Sequence, residues 1–460
     1  MSRAFLFLVA AGLLPLTTHA DDRAAAPETL IRLELQPATA PKPALRYMLL
    51  PELNEMSPGN PIYHYMKCCM EQQGFLFDRE SFNRREQLLT MPLKELAVRD
   101  LQNYGRSVLI QADRAARMDK PDWQILEPLK IHGFSLPLPD IQQMRALARA
   151  LQVRFRAEVA LGHFDDAIRT AKTMFALARH LGEHPTLIGD LVGIAIANMA
   201  VDPLEEMIGQ PGCPNLYWAL TCLPDPLISM KPGMDGECVI GLVELRDLDD
   251  RAPMSSDRIA RFVAHLDELL GQEAAVTRAG GVHGWLAAKD RGYLTGARRR
   301  LIDAGLPEAR LLQFPAEQVL LLDEKREYEV RRDDFRKTLS LSTWQAEAME
   351  ESLRAVRGPA LLADAMLPGS RVVRRAQSRL EQRIALLRVV EAVRLHANAH
   401  DGQFPARLAE VSVPVPNDPV AGKPFRYEVE GTTAHLRGSP PRGSEKDSAF
   451  NFHYELTLRQ

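Results

Sequence analysis

Five cysteines in 460 residues, with no C-x-x-C among them, leave this chain without a thiol redox motif, a zinc ribbon or a disulfide framework. Cys68 and Cys69 are adjacent and too constrained to pair with each other. Cys213, Cys222 and Cys238 share one loop-rich stretch in which a bridge could form, and buried free thiols are the preferred reading of the set. Excess charge is also missing. A net charge of −3 provides no long-range field to draw in nucleic acid or an anionic membrane. Aromatics make up only 6% of the chain, which argues against a glycan-stacking platform. G-x-S-x-G, the P-loop, G-x-G-x-x-G and H-E-x-x-H are all absent, and no Ser, His and Asp stand in local contexts that suggest a triad. No catalytic residue, no cofactor-binding residue and no cofactor is assigned.

What is present is ordinary for a globular protein: 46% hydrophobic and 25% charged residues, with 32 prolines that suit helices cut short by loops. The length implies about two or three domains at about 150 residues each. The N-terminus reads as a signal peptide over 1–20. Arg3 is the positive end, Ala4–Leu16 the apolar stretch, and Thr18-His19-Ala20 the small-residue cleavage site. The apolar stretch is too short for a comfortable membrane span. The expectation is export, periplasmic or extracellular, after cleavage following Ala20, with no stable span left once the signal is removed.

The clearest helical pattern is Pro139–Ile208. Asp140 is placed to cap, and Met144, Leu147, Ala148, Leu151, Phe155 and Val159 follow at spacings of three and four. Gly162 can take the left-handed conformation that ends a helix. Asp165 and Asp166 open the next helix at the positive end of its dipole. From Pro185 a third helix is apolar almost all round, as expected of a central bundle element. Asp202-Pro203 is expected to start a fourth, running to Gly209.

Elsewhere the same reasoning predicts helices at Ile62–Gln73, Ser81–Thr90, Leu93–Ala116, Asn215–Leu223, Gly236–Leu248 and Ser256–Leu270. Further helices are predicted over Glu273–Ala304 (interrupted at Gly280-Gly281), Pro315–Leu341, Thr343–Val356 and Arg371–Ala399. Lys120–Pro139, with four prolines, reads as a loop. Leu30–Leu35 alternates like a strand, and three short alternating runs after Arg426 read as an antiparallel sheet. The fold class is therefore mainly α, a helical bundle or hairpin array with a small C-terminal α+β piece built from a long helix and an antiparallel meander. The divisions are 1–20 signal peptide, 21–45 extended linker, 46–230 helical domain, 231–370 helical region and 371–460 α+β piece.

Leu161-Gly-His-Phe-Asp-Asp-Ala-Ile, with Ala178 and Pro185, resembles the second half of a tetratricopeptide repeat. No second copy follows at that period, so the resemblance implies a helical hairpin and not a peptide-binding array. The long helix ending at His400-Asp401-Gly402-Gln403-Phe404-Pro405, the Asp418-Pro419…Gly422…Phe425…Tyr427 loop and the strand meander together resemble the soluble headpiece of type II secretion pseudopilins. The N-terminal helix by which those proteins polymerise and the paired acids of their calcium loop have no counterpart. The resemblance thus implies a headpiece joined to a helical exported protein. The whole is similar to exported bacterial helical proteins, which carries no activity with it.

His180-Leu181-Gly182-Glu183-His184 matches H-x-x-E-H, the inverted zincin pattern. Its chemistry needs both imidazoles on one unbroken helix face. Gly182 and Pro185 interrupt that face, so His180, Glu183 and His184 are only weak metal candidates and no metal site is assigned. His396 and His400 stand four apart beside Asp401, a spacing more typical of capping or solvated imidazoles than of a shared metal. Asp247, Asp249 and Asp250 lack the glycine-centred loop of a calcium site and read as a solvated helix end. Arg371, Arg374, Arg375, Arg379 and Arg383 form a basic helix face, either solvated or a dock for an acidic partner.

The expected function is non-catalytic: a protein partner in the cell envelope, no nucleic acid, and a role in protein interaction or envelope organisation. The alternative is an exported hydrolase whose site is assembled in space. That alternative requires a deep pocket lined by two or more carboxylates or imidazoles.

Overall fold

The computed structural model describes residues 28–354 and 358–459. The expected signal peptide over 1–20 lies outside them. The first described element is strand β1, Thr29–Leu35. Helix α1, Pro61–Glu71, follows, started by Asn60, whose side chain accepts from the Ile62 N–H. Asp78 caps α2, Arg79–Thr90, in the same way. The single helix expected from Leu93 to Ala116 is instead two short ones, Val98–Leu101 and Ile110–Ala115. Gly105 between them, at φ +66°, takes the left-handed conformation that a helix cannot continue through. The expected loop over 120–139 contains α3, Leu126–His132. Pro128 falls in its first turn, where no amide donor is needed.

The central segment forms three helices: α4 (Pro139–Ala160), α5 (Phe164–Gly182) and α6 (Leu187–Ile208). Pro139 itself takes the first turn of α4, so the cap position falls to Leu138 and Asp140 does not cap. Gly162 turns the chain between α4 and α5 at φ +72°. The fourth helix expected at Pro203 is absent, because α6 runs through that proline without a break. Helix α6 packs against α4, α5 and the long C-terminal helix at once. Tertiary packing, not propensity, keeps it helical across a residue that lacks a donor. Helix α6 is long and apolar enough to cross a membrane, but 78% of its most apolar window is buried inside the protein, the situation of a core helix.

The second half supplies α7 (Lys231–Glu244), α8 (Ser256–Leu270), α9 (Arg291–Asp303), α10 (Ala316–Lys337), α11 (Leu361–Met366) and α12 (Pro368–Ala399). Helix α8 spans the residues the periodicity predicts, with Ile259, Phe262, Val263, Leu266 and Leu270 buried. The interruption at Gly280-Gly281 is real, both residues lying at positive φ. Strands β2 (Arg426–Glu430), β3 (Thr433–Arg437) and β4 (Phe452–Leu458) form the antiparallel meander. The segment read as a linker adds to it. Strand β1 pairs in parallel with β4, from Thr29 opposite Phe452 to Leu35 opposite Leu458, making a four-stranded sheet of order β1-β4-β3-β2.

The architecture is mainly α with a small C-terminal α+β piece. Two apolar cores fill it. One joins α1, α4, α5, α6 and α12 to the inner face of the sheet. The other lies between residues 245 and 366, among α8 to α11.

Helix α12 also corrects the expected basic face. Arg371 and Arg375 are exposed, but Arg374 and Arg383 are buried. Arg383 pairs with Asp202 at 2.8 Å and Glu205 at 3.0 Å, and Tyr454 donates to the same Glu205 at 2.5 Å. Farther along, Glu391 and Arg394 form a pair with no exposure at all, and Arg394 also donates to the carbonyls of Gln36 and Cys213. Such buried pairs add little net stability, but losing one partner leaves the other uncompensated. Of this helix's seven arginines, three are therefore buried and only Arg371 and Arg375 are exposed.

Candidate functional site

At the seam between the two cores lies a cleft of about 750 Å³. Its walls come from α3 and the turn after it, the start of α4 and of α6, and one face each of α7 and α8. Its volume is in the range of pockets that enclose a small molecule. Glycines set its geometry. Helix α7 crosses the start of α6 so closely that a Cβ on Gly236 would meet the Pro185 carbonyl at 1.9 Å, and one on Gly233 would meet Asp190 Oδ2 at 2.0 Å. That contact turns the stripe Glu237, Ile240 and Glu244 of α7 into the cleft, residues three and four apart that share one face. From the opposite side α8 presents His265, Glu268 and Leu269.

Glu244 and His265 make the central polar contact. Glu244 is buried, and its Oε2 lies 2.8 Å from His265 Nε2. Its other oxygen accepts the Phe134 N–H at 2.9 Å. Gly133 makes this possible. It ends α3 at φ +50°, and a Cβ there would sit 2.1 Å from Glu244 Oε1. The carboxylate is thus fixed by one backbone donor and in turn orients an imidazole whose side chain is 47% exposed to the cleft. Carboxylate-held imidazole is the base-and-orienter half of many hydrolytic sites. Among the described residues, His265 meets the Glu244 carboxylate and no serine, threonine or cysteine side chain.

The rest of the lining is apolar and acidic. Leu129, Phe134, Leu138, Ile141, Leu187 and Leu270 supply the apolar wall. Glu237, Glu244, Asp247 and Glu268 face it with only Arg246 as a permanently positive residue. Just behind Thr186, in the first turn of α6, Asp190 is completely buried and neither carboxyl oxygen has a hydrogen-bond partner. Burial, with smaller contributions from the negative charges of Glu237 and Glu183, raises its pKa well above the ordinary carboxylate range. An acid whose charged form burial disfavours therefore underlies the floor of the cleft.

His180, Glu183 and His184 lie elsewhere. His180 Nδ1 is 3.0 Å from the Tyr65 hydroxyl, and His184 Nδ1 is 2.8 Å from Thr186 Oγ1. Glu183 is exposed beyond the helix end. The two rings are buried, which lowers each pKa to about 4, and they pack against Tyr65 and Trp123. They are core imidazoles with separate partners. His396 and His400 stack at 3.9 Å, and His400 Nδ1 meets the His396 carbonyl, as at a helix end. Asp249 accepts the amides of Arg251 and Ala252, closing a turn, while Asp247 alone of that acidic run lines the cleft. All five cysteines are free, Cys68, Cys69 and Cys213 being buried, Cys238 half-buried and Cys222 exposed.

The cleft is not legible in the sequence. The helices carrying Glu244 and His265 are expected from it, but nothing local couples Glu244 to Phe134, 110 residues away. The usable signal is the pair of acids set into the apolar stripe of α7. Comparison with protein-family models, curated proteins and solved structures finds no match to this chain.

Proposed function

We propose that this chain is a binding protein of the cell envelope whose cleft receives a basic, apolar peptide segment of a partner. The observation that carries the reading is the cleft lining, in which an apolar wall is rimmed by the carboxylates of Glu237, Asp247 and Glu268, with Glu244 buried among them, against one guanidinium. Apolar surface supplies affinity in such a site. The acidic rim selects for lysine or arginine and steers it in. Export follows from the expected signal peptide, and mass spectrometry of the mature N-terminus tests it: Asp21 at the start supports export, and an intact Met1 defeats it. The binding reading is tested by fluorescence anisotropy with short labelled peptides that alternate leucine with lysine or leucine with glutamate. Saturable binding of the lysine series that weakens with added salt supports it. Equal binding of both series, or none of either, removes it.

The Glu244–His265 pair supports a second reading, a hydrolase in which His265 activates water. Turnover of chromogenic esters or amides that is lost in His265→Ala, with folding intact, would favour it over binding alone.

A further inference from the structure

A second polar cluster stands on the outer face of the sheet, away from the cleft. Alternation along the strands turns Phe452, Tyr454 and Leu456 into the core and leaves His453 and Glu455 on the other face. On the neighbouring strand His435 lies directly opposite Glu455. His435 Nδ1 and His453 Nε2 face each other at 3.0 Å. One ligand atom from each of His435, His453 and Glu455 falls within 4.8 Å of the others.

The partners of the remaining ring nitrogens matter most. His453 Nδ1 is 2.7 Å from Glu28 Oε2, so its proton is held there and Nε2 presents a lone pair. His435 Nε2 faces Glu430 at 3.8 Å, beyond hydrogen-bond reach, so Nδ1 either donates a proton to His453 Nε2 or presents a second lone pair beside it. In the second tautomer two lone pairs meet across 3.0 Å, an arrangement that a bound cation satisfies. Arg437 reaches Glu28 at 3.7 Å and helps to hold it, whereas Arg32 pairs with Glu455 Oε2 at 2.8 Å and competes for that carboxylate.

We propose that His435, His453 and Glu455 form a binding site for a divalent transition-metal ion, with Glu28 as the carboxylate that orients His453. Two imidazoles and one carboxylate suit zinc, whose bonds to nitrogen of about 2.0–2.1 Å space its ligand atoms by about 3.3 Å. The two imidazoles already stand near that spacing. Glu455, with a side chain 26% exposed, completes the set by turning a carboxylate oxygen away from Arg32. The carboxylate–imidazole contact at Glu28 is the outer-shell arrangement that fixes the tautomer of metal-bound histidine. A bound ion would cross-link β3 to β4 and, through Glu28, pin the residues just before β1 to the last strand. None of these residues borders the cleft, so the site stands or falls independently of the peptide-binding reading.

The test uses the full, untagged chain stripped with a chelator. Zn2+ is titrated calorimetrically, and Co2+ by its visible absorption, which reports imidazole and carboxylate ligation. One equivalent of each ion is expected to bind, with the melting temperature raised by Zn2+ and lowered again by chelator. His435→Ala and His453→Ala abolish that equivalent. Glu28→Gln weakens it about ten- to hundredfold. Glu455→Gln, at a partly exposed position, weakens binding without disturbing the fold and so serves if either histidine variant fails to fold. No stoichiometric uptake, or uptake unchanged in Glu455→Gln and in the folded histidine variants, would show a ring-to-ring hydrogen bond instead of a metal site and overturn the proposal.

Discussion

Replacing Asp190 by asparagine isolates the titration of one buried acid. The side chain is completely buried in the first turn of α6, and neither of its oxygens has a hydrogen-bond partner. Its nearest boundary is so close that a Cβ on Gly233 would stand 2.0 Å from Oδ2, which leaves no room for a hydrating water there. In the unfolded chain the carboxyl titrates near 3.8, and in the folded protein well above that. Between those two values the folded state keeps a proton that the unfolded state has released. Stability must then fall as pH rises, by about 1.4 kcal/mol per pH unit while both conditions hold. Asparagine has nearly the same size and no proton to lose. Asp190→Asn should therefore gain on the wild type progressively above about pH 4, by up to about 1.4 kcal/mol for each unit. Paired urea titrations at half-unit intervals from pH 4 to pH 7 measure the gain. Other acids such as the half-buried Glu158 and Glu381, raised by desolvation to about 7 and about 8, slope the same way but cancel in the difference between the two proteins. Parallel wild-type and variant profiles would refute the reasoning and mean that Asp190 is ionised in the folded state.

Three further outcomes follow from the structure. Gly133→Ala places a Cβ where Glu244 Oε1 now lies, at a positive φ; it should cost about 1–3 kcal/mol in a denaturant titration and shift the His265 imidazole resonances. Arg383→Leu strands buried Glu205, which Arg383 reaches at 3.0 Å; the loss should be about 3–5 kcal/mol, and a double variant that also replaces Glu205 by glutamine should recover part of it. Iodoacetamide should label exposed Cys222 fastest, half-buried Cys238 more slowly, and Cys68, Cys69 and Cys213 only after denaturation. Burial pushes those three thiols up to about 11, about 12 and about 12, away from the reactive thiolate. Mass spectrometry of the labelled peptides reads the order.

Local chemistry makes many of the helices legible in the sequence. Helix α8 is bounded to the residue because an apolar stripe, a serine cap and a terminal glycine agree there. The errors arise where distant packing overrides local signals. Pro203 reads as a helix start, yet the neighbours of α6 hold it helical through that residue. Pro128 reads as a loop residue, yet it sits harmlessly in a first turn. Arg374 and Arg383 read as part of a face either solvated or docking an acidic partner, but their partners on α6 and near α10 lie far away in sequence. Strand β1 is legible as alternation, but its parallel pairing with the last strand is not. The site residues are the least legible. The eye-catching H-x-x-E-H string proves to be two core imidazoles with separate partners, whereas Glu244, at the end of α7, meets His265 of α8 only through a side-chain contact made in the folded chain. His435 and His453 meet across a hairpin whose register the local pattern does not specify.

The central claim is that the acidic rim of the cleft selects basic apolar segments. Asp247 and Glu268 are the exposed carboxylates of that rim, so reversing both to lysine inverts its charge while sparing the buried Glu244. The most direct measurement is the ratio of affinities for the leucine–lysine and leucine–glutamate peptides, taken in the wild type and in Asp247→Lys/Glu268→Lys. A ratio that favours lysine in the wild type and turns toward glutamate in the variant is the predicted result; a ratio unmoved by the reversal would contradict the account.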